Sequence, residues 1–407
     1  MIDFKQTVAE RFLRYTKFDT MSNPKNVGIA RPTTDGQLVL LKALKAEAEA
    51  LGLETYLGKE AVVKVLLKGN TPSPTIGFMA HVDTADDVMG NQVKAQKIIY
   101  KGGEVTLLNG LKLTVENNPE LEKYIGTEII TSDGTTLLGS DDKAGVAIIF
   151  EAIVYLLKHP EIKHGDIEVF FTPDEETGAG MDEFPYALSD AKVMYTVDGE
   201  DESTVESECF NAASINLEIE GVSIHLGSGR GKLVNALKIA SAIAMALPSS
   251  QSPESTDGRF GYYHIDEISG TATKANMCIL IRDFDTDSFE ERIKIAENLA
   301  TTIACTYSGT VKVDTHISYK NMGAVNRKQP KALQAIFESG KKLGLVFKDE
   351  LIRGGTDGAR IADVKQIPAP NLFTGGHNLH SLTEWVSVEA MSHSVNLVLE
   401  IINYWAN

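Results

Sequence analysis

The chain has 407 residues, a length that predicts two domains. Of these residues 43% are hydrophobic and 23% are charged, a balance typical of a soluble globular protein. Its formal net charge of −17 argues against nucleic-acid binding, because no basic stripe is present to neutralise phosphates. No apolar run approaches the roughly 18 residues of a membrane-spanning helix, so we expect no membrane association.

The N-terminal segment and the cysteines indicate a cytoplasmic protein. Residues 2–15 place apolar side chains on one helical face and carry charges where a signal peptide would be apolar. Cys209, Cys278 and Cys305 are too few and too scattered for a disulfide framework or a thiolate metal site. We therefore expect reduced thiols in a reducing compartment.

Residues 1–207 alternate between helical and strand-like segments. The predicted strands are 61–67, 75–80, 167–172 and 192–197, and the predicted helices are 38–52 and 143–159. The strands are short, β-branched and apolar, as buried strands are, whereas residues 102–115 form a polar stretch that predicts a hairpin. This alternation predicts an α/β fold with a mostly parallel sheet flanked by helices.

Residues 208–319 have a different pattern, which predicts a smaller α+β domain inserted into the first. The predicted strands are 214–221, 274–284 and 309–318, and the predicted helices are 233–247 and 288–304. From about residue 320 the α/β pattern returns, and it ends in a predicted helix over 388–405. We therefore expect a discontinuous first domain, comprising residues 1–207 and 320–407.

Acidic and histidine side chains follow several predicted strands directly, where an open α/β sheet binds its ligands. The candidates are His81, Asp83, Asp141, Asp142, Asp174, Glu175, Glu176 and Asp198, with His377, His380 and Glu384 in a later group. So many carboxylates would repel one another unless a cation neutralised them. Oxygen and imidazole donors without thiolates suit zinc, cobalt or manganese, and this set is large enough for two ions in a hydrolase.

Each of these residues also has an ordinary structural interpretation. Asp142 could simply cap the helix that follows it, and a carboxylate at the end of a strand is usually solvated. His377 competes with His380 as a ligand, although the spacing of His380 from Glu384 favours His380. The combination of these residues, rather than any one of them, predicts a metallohydrolase.

Several motifs closely resemble the peptidase T family of tripeptide aminopeptidases, which belongs to a clan of co-catalytic zinc peptidases and deacylases. They are HVDTAD at 81–86, GTTLLGSDDKAG at 134–145, TPDEETGAG at 172–180, YTVDGE at 195–200 and RGGTDGARI at 353–361. The resemblance covers nearly the whole chain. It implies a catalytic α/β domain, an inserted domain that serves as a lid and dimerisation surface, a homodimer, and short peptides, chiefly tripeptides, as substrates.

The resemblance implies two zinc ions per subunit, with cobalt or manganese as alternatives. His81 and Asp198 would bind one ion, and Glu176 and His380 would bind the other. Asp141 would bridge the two ions.

The resemblance also implies how the chemistry is done. Glu175 would be the general base, which takes a proton from the attacking water and passes it to the leaving amine. Asp83 would accept the second ring N–H of His81 and so fix the tautomer of that ligand.

Three residues resemble substrate-binding positions of the family. His225 would stabilise the oxyanion, often in the site of the partner subunit, and Arg282 would bind the C-terminal carboxylate of the peptide. Arg353 resembles a further substrate-binding arginine. The chain departs from the usual pattern at Leu226, where relatives have proline, and at Ser381, where peptidase T has glycine.

Three other functions are alternatives to a tripeptide aminopeptidase. A dipeptidase or an N-acyl amino acid deacylase of the same clan differs only in pocket geometry. A non-catalytic metal- or peptide-binding protein is disfavoured, because both Glu175 and Asp141 are present. A nucleotide-binding protein is excluded by the absence of a glycine-rich phosphate loop after a strand.

Overall fold

The computed structural model describes residues 1–407, which form two compact units. The first unit contains Met1–Ser207, Met322–Glu350 and Thr356–Asn407, and the second contains Glu208–Asn321 and Leu351–Gly355. The segment Leu351–Gly355 groups with the second unit, whereas the sequence placed it in the first domain.

Eighteen strands are present in chain order. They are β1 (Glu54–Leu57), β2 (Val63–Leu67), β3 (Ile76–His81), β4 (Gln96–Ile99), β5 (Val105–Thr106), β6 (Lys112–Leu113), β7 (Glu128–Thr131), β8 (Ile167–Thr172), β9 (Met194–Gly199), β10 (Thr204–Cys209), β11 (Asn211–Glu220), β12 (Tyr262–Gly270), β13 (Lys274–Asp283), β14 (Thr310–Tyr319), β15 (Lys348–Ile352), β16 (Asn371–Phe373), β17 (Gly376–His377) and β18 (Trp385–Ser387).

Nine α-helices accompany the strands. They are α1 (Lys5–Tyr15), α2 (Asp35–Ala50), α3 (Ser140–Lys158), α4 (Ala236–Ala246), α5 (Thr286–Thr306), α6 (Gly323–Lys328), α7 (Lys331–Leu343), α8 (Asp357–Lys365) and α9 (Val388–Ala406). None of them combines the length and the apolar composition that crossing a bilayer requires.

The main sheet has eight strands in the order β1-β2-β8-β3-β9-β16-β10-β15. Its central strands β8, β3, β9 and β16 are parallel, which confirms the predicted α/β class. The pairs β1–β2, β2–β8 and β16–β10 are antiparallel, so the sheet is mixed rather than mostly parallel. Strands β1 and β2 form a hairpin at one edge of the sheet, and an antiparallel hairpin needs no crossover helix.

The central strands are buried along their whole length because helices cover the sheet. Every residue of β3 and of β8 is buried. Helix α3 contacts β3, β9, α1 and α9, and its residues 143–154 are buried almost without interruption. The continuous apolar runs in the sequence therefore reflect elements that are enclosed on all sides.

A second, antiparallel sheet of the first unit has the order β17-β18-β7-β4. The predicted hairpin within 102–115 is confirmed as the paired strands β5 and β6. Strand β18 leads directly into α9, whose first turn is capped because Ser387 Oγ accepts a hydrogen bond from Ala390 N–H.

The second unit is a four-stranded antiparallel sheet in the order β12-β13-β11-β14. Side chains of β11 and β13 alternate between buried and more exposed positions, because α4 and α5 contact this sheet and cover one of its faces. The predicted smaller α+β domain is therefore present.

Candidate active site

Three parallel strands of the first unit deliver polar side chains to one edge of the main sheet. His81 is the last residue of β3 and pairs in register with Thr172, the last residue of β8. Strand β9 contains Asp198 near its end, and the turn after β8 carries Glu175 and Glu176. Because parallel strands end at the same edge, these side chains converge as the sequence predicted.

His81 is the buried centre of the first group of side chains, with only 2% of its surface exposed. Its Nε2 lies 2.8 Å from Asp141 Oδ1 and 3.3 Å from Asp198 Oδ1. Asp142 also meets this group, because its Oδ2 accepts a hydrogen bond of 3.2 Å from the His81 backbone N–H. Its Oδ1 accepts the Gly145 N–H at 3.0 Å, so Asp142 caps the regular part of α3 as well.

His380 is the centre of the second group. Its Nε2 lies 3.2 Å from Asp141 Oδ2 and 3.0 Å from Glu176 Oε2. Its Nδ1 lies 3.1 Å from Asp87 Oδ2, on the solvent side. The two oxygens of Asp141 therefore face the two histidines, one oxygen to each ring.

Asp83 joins the first histidine to the turn that carries the two glutamates. The His81 Nδ1 atom lies 3.3 Å from Asp83 Oδ1 and 3.2 Å from the Asp83 carbonyl oxygen. The same carboxylate accepts the backbone N–H of Glu175 at 3.0 Å and that of Glu176 at 3.1 Å. Asp83 is completely buried, so one carboxylate orients the ring and the turn together.

Burial makes this collection of carboxylates electrostatically costly. It raises the pKa of Glu176 to about 8 and the pKa of Asp198 to about 7, and it raises the pKa of Glu175 well above its ordinary value. Hydrogen bonds to Asp141 and Glu176 raise the pKa of His380 to about 11. Buried carboxylates this close together repel one another unless a cation neutralises them.

The donor set fits a metal centre. Ligand atoms of His81, Asp142 and Asp198 lie within 4.8 Å of one another, and so do those of His81, Asp141 and Glu176. Glu176 Oε1 is buried and accepts no hydrogen bond, which leaves a lone pair for a cation. Imidazole nitrogens and carboxylate oxygens are donors that divalent zinc, cobalt and manganese accept.

Glu384 holds the loop that presents Asp141. Its carboxylate accepts hydrogen bonds from the backbone N–H groups of Leu138 at 2.7 Å, Gly139 at 3.0 Å and Ser140 at 2.6 Å. It also accepts the Ser140 hydroxyl at 2.5 Å. In the sequence, Glu384 was a candidate only because of its spacing from His380. Nothing in the sequence predicted that it contacts this loop.

His377 lies apart from the two groups of side chains. Its ring stacks on Trp385 with centroids 4.3 Å apart, and burial lowers its pKa to about 4. A neutral, buried ring in an aromatic stack is a core residue. The structure therefore brings His380, and not His377, to Asp141 and Glu176.

His225 and Arg282 belong to the second unit. His225 Nδ1 accepts the Gly227 N–H at 3.2 Å, and the neighbouring Leu226 is 81% exposed. Arg282 donates to the carbonyl oxygens of Ala213 at 3.2 Å and of its own neighbour Ile281 at 2.9 Å. No ion pair joins Arg282 to the adjacent acids, since Asp283 pairs with Arg292 at 2.6 Å.

Arg353 also lies in the second unit, where it fixes a loop. Its guanidinium donates to the carbonyl oxygens of Thr256 at 3.2 Å, Gly258 at 2.8 Å and Phe260 at 3.0 Å. It lies over the ring of Phe210 with a distance of 5.1 Å to the centroid. The backbone of the loop at 256–260 therefore occupies most of its donors.

Comparisons with known proteins agree with this architecture. The sequence profile of "Peptidase family M20/M25/M40" matches residues 132–404. A protein named Peptidase T from Clostridium novyi (strain NT) is 42% identical over 408 residues, which cover 98% of this chain and 100% of that relative.

Two solved structures share the fold. One is the aminopeptidase PepT of Bacillus cereus ATCC 10987, with a TM-score of 0.77 and 23% identity over 99% of each chain. The other is a tripeptidase of Staphylococcus aureus subsp. aureus Mu50, with a TM-score of 0.77 and 23% identity over 100% of this chain and 99% of that one.

Proposed function

The chain belongs to the peptidase T family of metallopeptidases, within peptidase family M20/M25/M40, and we propose that it removes the N-terminal residue from tripeptides in a metal-dependent reaction. The observation that carries the proposal is the Asp141 carboxylate, whose two oxygens face His81 and His380 at 2.8 and 3.2 Å. A carboxylate shared in this way is the expected bridge of a co-catalytic site.

Five side chains would hold two metal ions. His81 and Asp198 would bind the first ion, Glu176 and His380 the second, and Asp141 would bridge them. The short distances within each group and the free lone pair of Glu176 support this arrangement. Zinc is the proposed metal, with cobalt or manganese as substitutes, because all donors are nitrogen or oxygen.

The bound ions would supply a Lewis acid for the scissile carbonyl and would acidify the attacking water. The protein supplies the proton transfer. We assign the general base to Glu175, because Asp83 accepts its backbone N–H and its carboxylate is not one of the proposed metal ligands. A carboxylate free of the metal ions would take a proton from the attacking water and return it to the leaving amine.

Asp83 would act through His81 rather than on the substrate. Its carboxylate and carbonyl oxygens lie 3.3 and 3.2 Å from His81 Nδ1, which directs the other ring nitrogen, Nε2, toward Asp141 and Asp198. This fixes the tautomer that can bind a metal ion.

The second unit would contribute the substrate contacts. Arg282 would bind the C-terminal carboxylate of a tripeptide, and Arg353 would assist from the loop that it holds. His225 would stabilise the oxyanion in the site of a partner subunit, which requires a homodimer formed through the second unit. The exposed position of His225 beside exposed Leu226 supports a role at a surface that another chain covers.

The three cysteines support a cytoplasmic location. Cys209, Cys278 and Cys305 form no disulfide bond in the structure, and one of them, Cys305, is exposed. Free thiols persist in a reducing compartment.

The test compares metal-free and zinc-reconstituted protein on di-, tri- and tetrapeptides and on an N-acetylated tripeptide, with products separated by chromatography. The expected result is release of the N-terminal residue from free tripeptides only, and only with metal. The Glu175→Gln variant is the matched control, since it keeps the proposed metal ligands. Cleavage of dipeptides or of the acetylated peptide would instead indicate a dipeptidase or deacylase, and no metal-dependent hydrolysis would refute the enzyme.

A further inference from the structure

The turn that carries Glu175 and Glu176 is held from a second side, by residues that the proposed mechanism does not use. Asp174 begins this turn in the left-handed conformation, with φ of +61°. Asp83 accepts the N–H groups of the two glutamates on one side. On the other side the turn meets the segment Arg31–Gln37, which leads into α2.

The side chain of Asp174 accepts several hydrogen bonds from this segment. Its Oδ1 accepts the Thr33 backbone N–H at 2.9 Å, the Thr33 hydroxyl at 2.5 Å and the Gln37 Nε2–H at 2.7 Å. Gln37 Oε1 in return accepts the Asp174 backbone N–H at 3.0 Å. Asp174, Thr33 and Gln37 are 1%, 3% and 0% exposed, so water does not compete for these bonds.

Arg31 holds the far end of the same turn. Its Nη1 donates to the Ala179 carbonyl oxygen at 2.9 Å, and its Nη2 donates to the Gly180 carbonyl oxygen at 2.7 Å. Its Nε donates to the Glu60 carbonyl oxygen at 2.9 Å, which anchors the guanidinium to the loop before β2. One planar guanidinium therefore fixes two successive carbonyls of the turn.

We propose that Arg31, Thr33 and Gln37 are positioning residues, which fix the turn at 174–180 and thereby the direction of the Glu175 carboxylate. Charge-assisted hydrogen bonds in a buried site are short, strong and directional. Gln37 binds both the side chain and the backbone of Asp174, so it restrains rotation of the turn as well as its distance from α2. A turn held by Asp83 alone would pivot about the two N–H groups that Asp83 accepts.

The inference rests on the proposed function for the role of Glu175. A misplaced general base lowers the rate of the chemical step, and an error of about 1 Å costs up to about 100-fold. Substrate contacts would stay intact, so kcat falls while KM changes little.

The experiment replaces Thr33 with valine, which keeps the backbone N–H and the shape but removes the hydroxyl, and with serine, which restores it. Hydrogen–deuterium exchange of the metal-free protein reports on the turn directly and needs no activity. We expect the peptide spanning 174–180 to exchange faster in Thr33→Val than in wild type or Thr33→Ser, with β8 unchanged. Leu44→Ala, a buried change further along α2, controls for loss of stability.

Kinetics of the zinc-loaded variants complete the test. We expect Thr33→Val to lower kcat for a tripeptide about 10- to 100-fold with KM within about 2-fold and metal content unchanged, and Thr33→Ser to restore kcat. Arg31→Lys, which cannot reach both carbonyls, should produce the same pattern if Thr33→Val does not fold. Unchanged exchange at 174–180, or an equal loss in Leu44→Ala, would overturn the inference. Inactive wild-type protein would instead refute the proposed function and leave the exchange result standing.

Discussion

Replacing Glu384 with glutamine should loosen the loop that presents Asp141. The wild-type carboxylate is an acceptor at both oxygens, and it faces five donors, namely the N–H groups of Leu138, Gly139, Ser140 and Asp141 and the Ser140 hydroxyl. A glutamine amide carries an NH₂ donor in place of one oxygen. Whichever way the amide turns, its NH₂ group faces at least one backbone N–H that has lost its acceptor.

The magnitude follows from the burial of these groups. Glu384 is 1% exposed, and Ser140 is completely buried, so water cannot replace the lost acceptor. Hydrogen bonds to a charged group contribute about 1.5–3 kcal/mol each, and a buried unsatisfied donor costs about 1–3 kcal/mol. Because the Ser140 hydroxyl can rotate and accept instead, we expect a net loss of about 2–4 kcal/mol, which for a unit of this size corresponds to a Tm lower by roughly 3–7 °C.

Two measurements test this estimate. Thermal unfolding of the metal-free protein by calorimetry gives the change in stability without the contribution of a bound ion. Titration calorimetry with zinc gives the affinity, which should fall as well, because Asp141 is carried by the same loop. Glu389→Gln on α9 is the matched control, since its carboxylate accepts no hydrogen bond in the structure.

A Tm for Glu384→Gln within about 2 °C of the Glu389→Gln control would refute the reasoning, because it would mean that the loop does not depend on this carboxylate. A lower Tm with unchanged zinc affinity would show that the loop matters for stability but not for the placement of Asp141.

The remaining predictions concern single side chains. Glu175→Gln should retain its metal, measured by mass spectrometry of the native protein, while kcat falls by about 100-fold or more; loss of metal would argue for a ligand role instead. His380→Ala should weaken zinc binding in titration calorimetry, whereas His377→Phe should not. The reverse result would show that His377, and not His380, is the ligand. Burial lowers the pKa of His377 from 6.5 to about 4 in the folded protein. On acidification this histidine therefore takes up its proton at a higher pH in the unfolded chain than in the folded protein, so the free energy of unfolding falls between these two pH values. Between about pH 7 and about pH 5, the free energy of unfolding measured with urea should therefore fall by about 2 kcal/mol less in His377→Phe than in wild type. An equal fall in both proteins would contradict the pKa shift. Arg282→Met should raise KM for a tripeptide about 10-fold or more but leave its C-terminal amide nearly unaffected, and equal effects on both would exclude a contact with the carboxylate.

The convergence of the polar residues was predictable from the sequence because it follows from strand geometry. His81 and Asp198 stand at the ends of short, β-branched apolar runs that are typical of buried parallel strands, and Glu176 follows a third such run. Neighbouring parallel strands then place these side chains at one edge, whatever the rest of the chain does.

The interactions that complete the site were not predictable, because they join segments far apart in sequence through single polar groups. Nothing in the pattern around Gln37 indicates that its amide binds Asp174, and nothing around Glu384 indicates the loop before α3. The outer strands β1, β10 and β15 of the main sheet were missed for a similar reason, whereas β2 was predicted within residues 61–67. Strand β1 has only four residues and none of them is buried, so its pairing with β2 is decided by the fold.

The distance along the chain between Glu384 and its partners has a consequence for biosynthesis. Glu384 contacts residues that precede it by 243 to 246 positions, and β18 pairs with β7 across a similar interval. A ribosome-bound chain that has not yet extended beyond β18 therefore lacks the acceptor that shapes the Asp141 loop. Hydrolytic competence would be acquired only after β18 has been synthesised, so shorter products would carry the proposed strand-end ligands without an assembled centre.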